Sequence, residues 1–135
     1  MSIRVLLADD HKLLREGLRA LIEDQPQMEV IAEAEDGLTA LQLVGELSPD
    51  VVVMDISMPR MNGMEATRQI ISTAPGVRVL ALSMHDDDRF VEEMRNAGAS
   101  GYLLKDCAFE ELIHAIHAVA EQGTYLSPKI NGPSD

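Results

Sequence analysis

The sequence predicts an α/β domain: a doubly wound, five-stranded parallel sheet with five helices on its two faces. Three observations carry that prediction. Five short apolar runs alternate with five longer amphipathic segments. Three of the runs show little polar alternation, as strands buried on both faces of a parallel sheet do. Gly, Pro and Asp residues punctuate the boundaries. Alternating strands and helices give an open sheet flanked by helices, and right-handed crossovers wind it in both directions.

The first run, Ile3 to Ala8, precedes Leu14, Leu18, Leu21 and Ile22, which recur at helix spacing. The second, Met28 to Ala32, is surrounded by Glu29, Glu33 and Glu35, which places it at a sheet edge. Asp36-Gly37 opens a helix bearing Leu38, Leu41, Val44 and Leu47, and Ser48-Pro49-Asp50 closes it. Val51 to Met54 is wholly apolar. A helix with Met64, Thr67, Ile71 and Ala74 follows and ends at Pro75-Gly76. After the run Val77 to Leu82, Asp86-Asp87-Asp88 cap a fourth helix and suit the positive end of its dipole. That helix carries Phe90, Val91, Met94 and Ala97, with Gly98 where a left-handed C-cap is wanted. Gly101 to Leu104 makes the fifth strand, and Phe109, Leu112, Ile113, Ile116 and Val119 line the last helix. Residues 1–123 therefore read as one domain and 124–135 as a linker or tail, rich in proline and without periodicity.

A chain of 135 residues can bury a core without staples. Its formal net charge of −12 is the wrong sign for gripping a phosphate backbone, so DNA binding by this domain alone is not expected. Cys107 is the single cysteine, which excludes an intrachain disulfide. The first apolar run is too short for a signal-peptide core, and no stretch is long enough to span a bilayer. A cytoplasmic location with no membrane contact is the expectation.

Ligands of open α/β sheets bind beyond the carboxyl ends of the strands. Strand one ends in Asp9 and Asp10, strand three in Asp55, strand four in Ser83 and strand five in Lys105. Three carboxylates brought together repel: two unit charges at 4 Å cost roughly 4 kcal/mol at an effective dielectric near 20. A raised pKa or a bound cation relieves that repulsion, and oxygen ligands suit Mg2+, which keeps waters and accepts a phosphate. Two metal charges and Lys105 balance the three acids and let a phosphoryl group enter. Asp55 then becomes the nucleophile of an acyl phosphate, with Ser83 donating a hydrogen bond to a phosphoryl oxygen.

Asp9-Asp10, Asp55, Ser83 and Lys105, in that order at those strand ends, resemble the receiver domains of two-component response regulators, over residues 3 to about 123. Asp55-Ile56-Ser57-Met58-Pro59-Arg60-Met61-Asn62-Gly63 looks like that family's phosphorylation-site loop. Ala8-Asp9-Asp10-His11, Ser83-Met84-His85-Asp86, Gly101-Tyr102-Leu103-Leu104-Lys105-Asp106 and Gly123-Thr124-Tyr125-Leu126-Ser127-Pro128 resemble the NarL/FixJ (LuxR-type) transcriptional regulators.

The resemblance implies a flavodoxin-like fold of strand order 2-1-3-4-5. It implies Mg2+ held by Asp10 and Asp55, by Asp9 through water and by the Ser57 carbonyl. It implies a switch pair, Ser83 and Tyr102, and the phosphoacceptor Asp55 served by Ser83 and Lys105, with Met84 and His85 at the rim of the site. A sensor histidine kinase is the implied phosphoryl donor, homodimerisation the implied response, and DNA is reached only through a helix-turn-helix output domain not present in this chain. The domain is expected to be regulatory rather than an enzyme with turnover. Many receivers have proline after the strand-five lysine, where this chain has Asp106, and Met84 replaces a residue that is commonly small.

Plainer readings exist for each residue alone. Asp9-Asp10 could cap the first helix, Asp55 could serve a turn, Ser83 and Lys105 could be surface groups, and Met58, Met61 and Met64 suit packing. His114 and His117, with Glu110 nearby, read as a polar helix flank, and Cys107 as an incidental thiol. Three rival functions fit the sequence less well. A flavin or nucleotide module wants a Gly- or Ser/Thr-rich loop after strand one, where Asp9-Asp10-His11 stand. Phosphohydrolases resembling the haloacid dehalogenase type place their nucleophile on strand one with a second Asp two positions on, whereas these acids are adjacent. A pseudo-receiver keeps the fold and signals by contact alone, but here every site position holds a competent side chain.

Overall fold

The computed structural model describes residues 2–121 and 123–128. The elements run β1 (Ile3–Ala8), α1 (Lys12–Glu23), β2 (Met28–Ala34), α2 (Gly37–Leu47), β3 (Val51–Asp55), α3 (Gly63–Thr73), β4 (Arg78–Ser83), α4 (Asp88–Ala97), β5 (Gly101–Leu104), a 3-10 turn (Lys105–Cys107), α5 (Ala108–Ala120) and β6 (Tyr125–Leu126). All strand pairs are parallel, in the order β2-β1-β3-β4-β5-β6.

The apolar strands are buried on both faces because successive side chains point to opposite sides. Val5, Leu7, Val51, Val53, Leu80 and Leu82 face α1 and α5, meeting Leu18, Ile22, Leu112 and Ile116. Leu6, Val52, Met54 and Val79 face α2 and α3, meeting Ala40, Val44, Ala66 and Ile70. Ala81, Tyr102 and Leu104 pack with Val91 and Met94 of α4. In α3 the fully buried isoleucine is Ile70, while Ile71 packs at the flank, one position off the expected stripe. Neighbours on both sides, α2 and α4, widen that helix's buried arc.

Several boundaries fall where the punctuation put them. Asp36 caps α2 by accepting from Thr39 N, and Asp87 caps α4. Ser48 and Gly98 end α2 and α4 in the left-handed conformation. β2 lies at a sheet edge, with Glu29 exposed between buried Met28 and Val30.

One expectation is corrected: the sheet has six strands, not five. Tyr125 and Leu126, placed by sequence in the tail that begins at residue 124, pair with Gly101 and Tyr102 of β5. Tyr125 N donates to Ser100 O at 3.2 Å, and Ser127 N to Tyr102 O at 3.1 Å. A two-residue strand has no periodicity to read; it forms because β5 would otherwise offer an unpaired edge. Residues 129–135 of the expected tail lie outside the described residues.

Candidate functional site

The ends of β1, β3 and β5 meet at one edge of the sheet, and the residues that follow them converge there. Asp9 and Asp55 are buried, and Asp10 stands at the surface beside them. Lys105, on the 3-10 turn after β5, places its Nζ 3.1 Å from Asp55 Oδ2 and 3.3 Å from Asp9 Oδ2. Asp55 Oδ1 accepts from Ser57 N at 3.1 Å, and Asp9 Oδ1 from His11 N at 2.6 Å. Neither Asp9 nor Asp10 caps α1; the N-cap position belongs to His11, without a side-chain cap bond.

His11 was not among the expected site residues, yet its Nδ1 lies 3.1 Å from Asp9 Oδ1, 3.4 Å from Asp10 Oδ1 and 3.9 Å from Asp55 Oδ2. Its position directly after the acid pair was the available signal. Arg15 was missed too. It is buried on α1, with Nη1 donating to Asp9 O at 2.6 Å and Nε to Glu33 Oε1 at 2.7 Å. A charged residue three positions before Leu18, on a helix face that is otherwise apolar, was its trace in the sequence. Arg15 fixes the backbone of the loop that presents the acids.

The β3–α3 loop is held from two sides. Gly63 lies so close to β3 that a Cβ there would come within 2.3 Å of Asp55 O. Arg60, in the left-handed region at φ 68°, reaches Asp36 Oδ2 at 3.4 Å.

Burial pushes the Asp55 carboxyl up to about 6; the Ser57 amide pulls it down, the Asp9 charge raises it and Lys105 offsets part of the rise. Asp9 Oδ2 is buried and, apart from the Lys105 ammonium 3.3 Å away, has no partner. Asp9, Asp10, His11 and Asp55 offer ligand atoms all within 4.8 Å of one another. They form the single group of that kind among the described residues, so His114 and His117 do not make another. Oxygen donors with one lone pair set left unused fit a hard cation such as Mg2+.

Ser83, at the end of β4, is buried, and its Oγ accepts from His85 N at 2.9 Å. Tyr102 is buried behind it, its hydroxyl donating to His85 O at 2.7 Å. The backbone of His85 thus bridges the two, while its ring stacks on Phe90 with centroids 4.1 Å apart. His11, Asp55, Ser57, Met84, His85 and Lys105 line a cavity of about 320 Å3, with Met84 exposed at its mouth. The Lys105–Asp106 peptide is trans, as are all those described.

Residues 5–117 match the family model of the response regulator receiver domain. The chain is 47% identical over 129 residues to the transcriptional regulatory protein DegU of Brevibacillus brevis, covering 96% of this chain and 55% of that protein. It is 38% identical to the response regulator GacA of Pseudomonas aeruginosa, covering 95% of this chain and 60% of GacA. It spans little more than half the length of these curated relatives. Among solved structures, a LuxR-family two-component response regulator from an Aurantimonas species superposes with TM-score 0.92 at 41% identity, covering 97% of this chain and 94% of the other. The signal receiver domain of the putative response regulator NarL from Mycobacterium tuberculosis gives 0.85 at 36% identity, covering 89% and 97%.

Proposed function

The chain belongs to the response regulator receiver domain family, and from that premise we propose that Asp55 accepts a phosphoryl group from a phosphohistidine of a sensor kinase. The observation that carries this reading is the placement of the Lys105 ammonium between two buried carboxylates, 3.1 Å from Asp55 and 3.3 Å from Asp9.

An Asp55 carboxylate oxygen attacks phosphorus, the P–N bond to the donor imidazole breaks, and that imidazole leaves with a proton taken from solvent. Asp9, Asp10 and Asp55, with the Ser57 carbonyl, would hold Mg2+. That ion supplies positive charge for the phosphoryl oxygens and offsets the acids. Lys105 neutralises a further phosphoryl oxygen. The Ser83 Oγ already accepts from His85 N, so its proton is left to donate toward the phosphoryl group. Tyr102 follows that movement because both residues are joined through His85.

Water later hydrolyses the acyl phosphate; Ser57, Met84 and His85 at the rim govern its approach. The phosphorylated form favours homodimerisation and, in a longer cytoplasmic chain, frees a DNA-binding output domain to regulate transcription. The domain is regulatory and needs no turnover on an outside substrate.

Intact-protein mass after incubation with acetyl phosphate tests the reading. One phosphoryl adduct, dependent on Mg2+ and absent from Asp55→Asn, is the expected result. No adduct under any condition would indicate a receiver fold that signals by contact alone, and an adduct surviving in the variant would move the chemistry to another residue.

A further inference from the structure

The short strand β6 does more than cover an edge. Ser127, fully buried, accepts from Leu104 N through its Oγ at 2.9 Å and donates to Glu111 Oε1 at 2.9 Å. The Tyr125 hydroxyl donates to the same Glu111 oxygen at 2.6 Å. Ser127 N donates to Tyr102 O at 3.1 Å. Two hydroxyls of the segment 125–127 therefore converge on one carboxylate of α5, and the segment holds the main chain of β5 at two residues.

Those two residues are not arbitrary. Leu104 stands opposite Ser83 in the β4–β5 ladder and immediately precedes Lys105. Tyr102 is the residue whose hydroxyl reaches the His85 carbonyl. A buried hydroxyl with both its donor and its acceptor role filled is costly to remove, because Leu104 N–H would lose its partner in a dry environment. Burial and the neighbouring Glu111 also push the Tyr125 hydroxyl above its ordinary range, so it stays a proton donor to that carboxylate.

We propose that Glu111 and Ser127 are positioning residues for Lys105, and that docking of the segment 125–127 on β5 is thermodynamically coupled to phosphorylation at Asp55. The inference rests on the reading of Asp55 as phosphoacceptor. A phosphoryl group held by Lys105 fixes the end of β5 and so presents Leu104 N–H to Ser127. By reciprocity a docked segment favours the phosphorylated site to the same extent. In longer chains such as the relatives, this segment follows α5 and is the covalent path from the domain to whatever follows, so a pull on it would be felt through its hydrogen bonds to β5 and hence at Lys105.

The test uses the full chain as wild type, Ser127→Ala, Glu111→Ala and Glu111→Gln, with acetyl phosphate as donor at saturating Mg2+. The expected result is a maximal phosphorylation rate at least about fivefold lower in the two alanine variants, with half-saturating donor concentration and Mg2+ affinity unchanged. Glu111→Gln should recover the rate, since its amide oxygen can accept from the same two hydroxyls. Hydrogen exchange on wild type supplies a reading that no misfolded variant can obscure. Beryllofluoride with Mg2+ should slow the amides of Leu104 and Ser127 about fivefold or more, and should not do so in Asp55→Asn. Equal maximal rates in all four proteins, or exchange at these amides unchanged or accelerated by beryllofluoride, would overturn the proposal. A wild type that takes no phosphoryl group at all would instead bring down the reading of Asp55 on which it rests.

Discussion

Replacing Asp55 by asparagine should stabilise the metal-free domain. The carboxyl rises from 3.8 in the unfolded chain to about 6 in the fold, chiefly through burial. Each unit of such a difference is worth about 1.4 kcal/mol, so ionised Asp55 costs the native state about 3 kcal/mol. The attraction of Lys105 is already included in that balance. Well below pH 3.8 the group is protonated in both states and the cost vanishes; it builds as pH rises and is complete above about 6. Asn mimics the neutral form, so its advantage should be about 0.6 kcal/mol at pH 4 and about 3 kcal/mol at pH 7.5. In a chain of 135 residues that corresponds to roughly 10 °C in Tm. Urea titration in chelator at both pH values is the assay. Mg2+ at about a hundred times its Kd adds about 2.7 kcal/mol to a protein that binds it, so wild type should nearly catch up while the variant gains little. A variant no more stable than wild type at pH 7.5 without metal would refute the claim that Asp55 is held ionised against its surroundings.

Arg15→Leu should destabilise by about 1–3 kcal/mol in urea, since it leaves the Asp9 carbonyl without its buried donor and Glu33 with Arg19 alone; calorimetry should also find weaker Mg2+ binding. Gly63→Ala should abolish adduct formation by mass, because the new Cβ meets Asp55 backbone at 2.3 Å. Gly45→Ala meets nothing within 4 Å on α2 and should raise stability by about 0.5–1 kcal/mol. Leu112→Ala, at a fully buried core position, should cost about 2–5 kcal/mol with an unchanged urea m-value.

Much of this architecture was legible because its signals are local. Val51 to Met54 could only be a strand buried on both faces, and Asp36, Asp87 and Gly98 mark helix ends by their own chemistry. The juxtaposition of Asp9, Asp55 and Lys105 was legible because strand ends gather at one edge of such a sheet, across nearly a hundred residues of sequence. What escaped depends on partners far away in sequence. β6 exists only because β5 offers an edge, and Ser127 acquires meaning only beside Leu104 and Glu111. Arg15 interrupts an apolar helix face in sequence, but its role emerges only where Glu33 and the Asp9 carbonyl lie beside it. His11 stands directly after the acid pair in sequence, but the turn of its ring toward the acids is a rotamer choice that its position alone does not fix.

The energetic strain at Asp55 and the reactivity proposed for it have one origin. Full desolvation would keep the carboxyl protonated and useless as a nucleophile, while full exposure would leave it ionised but hydrated and content. Here the Ser57 amide and Lys105 offset part of the penalty from burial and from Asp9, which holds the group at about 6. At pH 7 such a carboxyl is about nine-tenths ionised. The carboxylate that the proposed phosphoryl transfer needs is thus present at neutral pH, yet it sits in a site where added positive charge, from a cation or from a closer Lys105, lowers the energy of the whole cluster. Lys105 is the one of those charges that the fold itself can move. Its reach is set by the end of β5, where Leu104 is tied on one side to β4 and on the other to Ser127. The stability of the acid cluster and the docking of the segment 125–127 therefore draw on the same few ångströms of main chain.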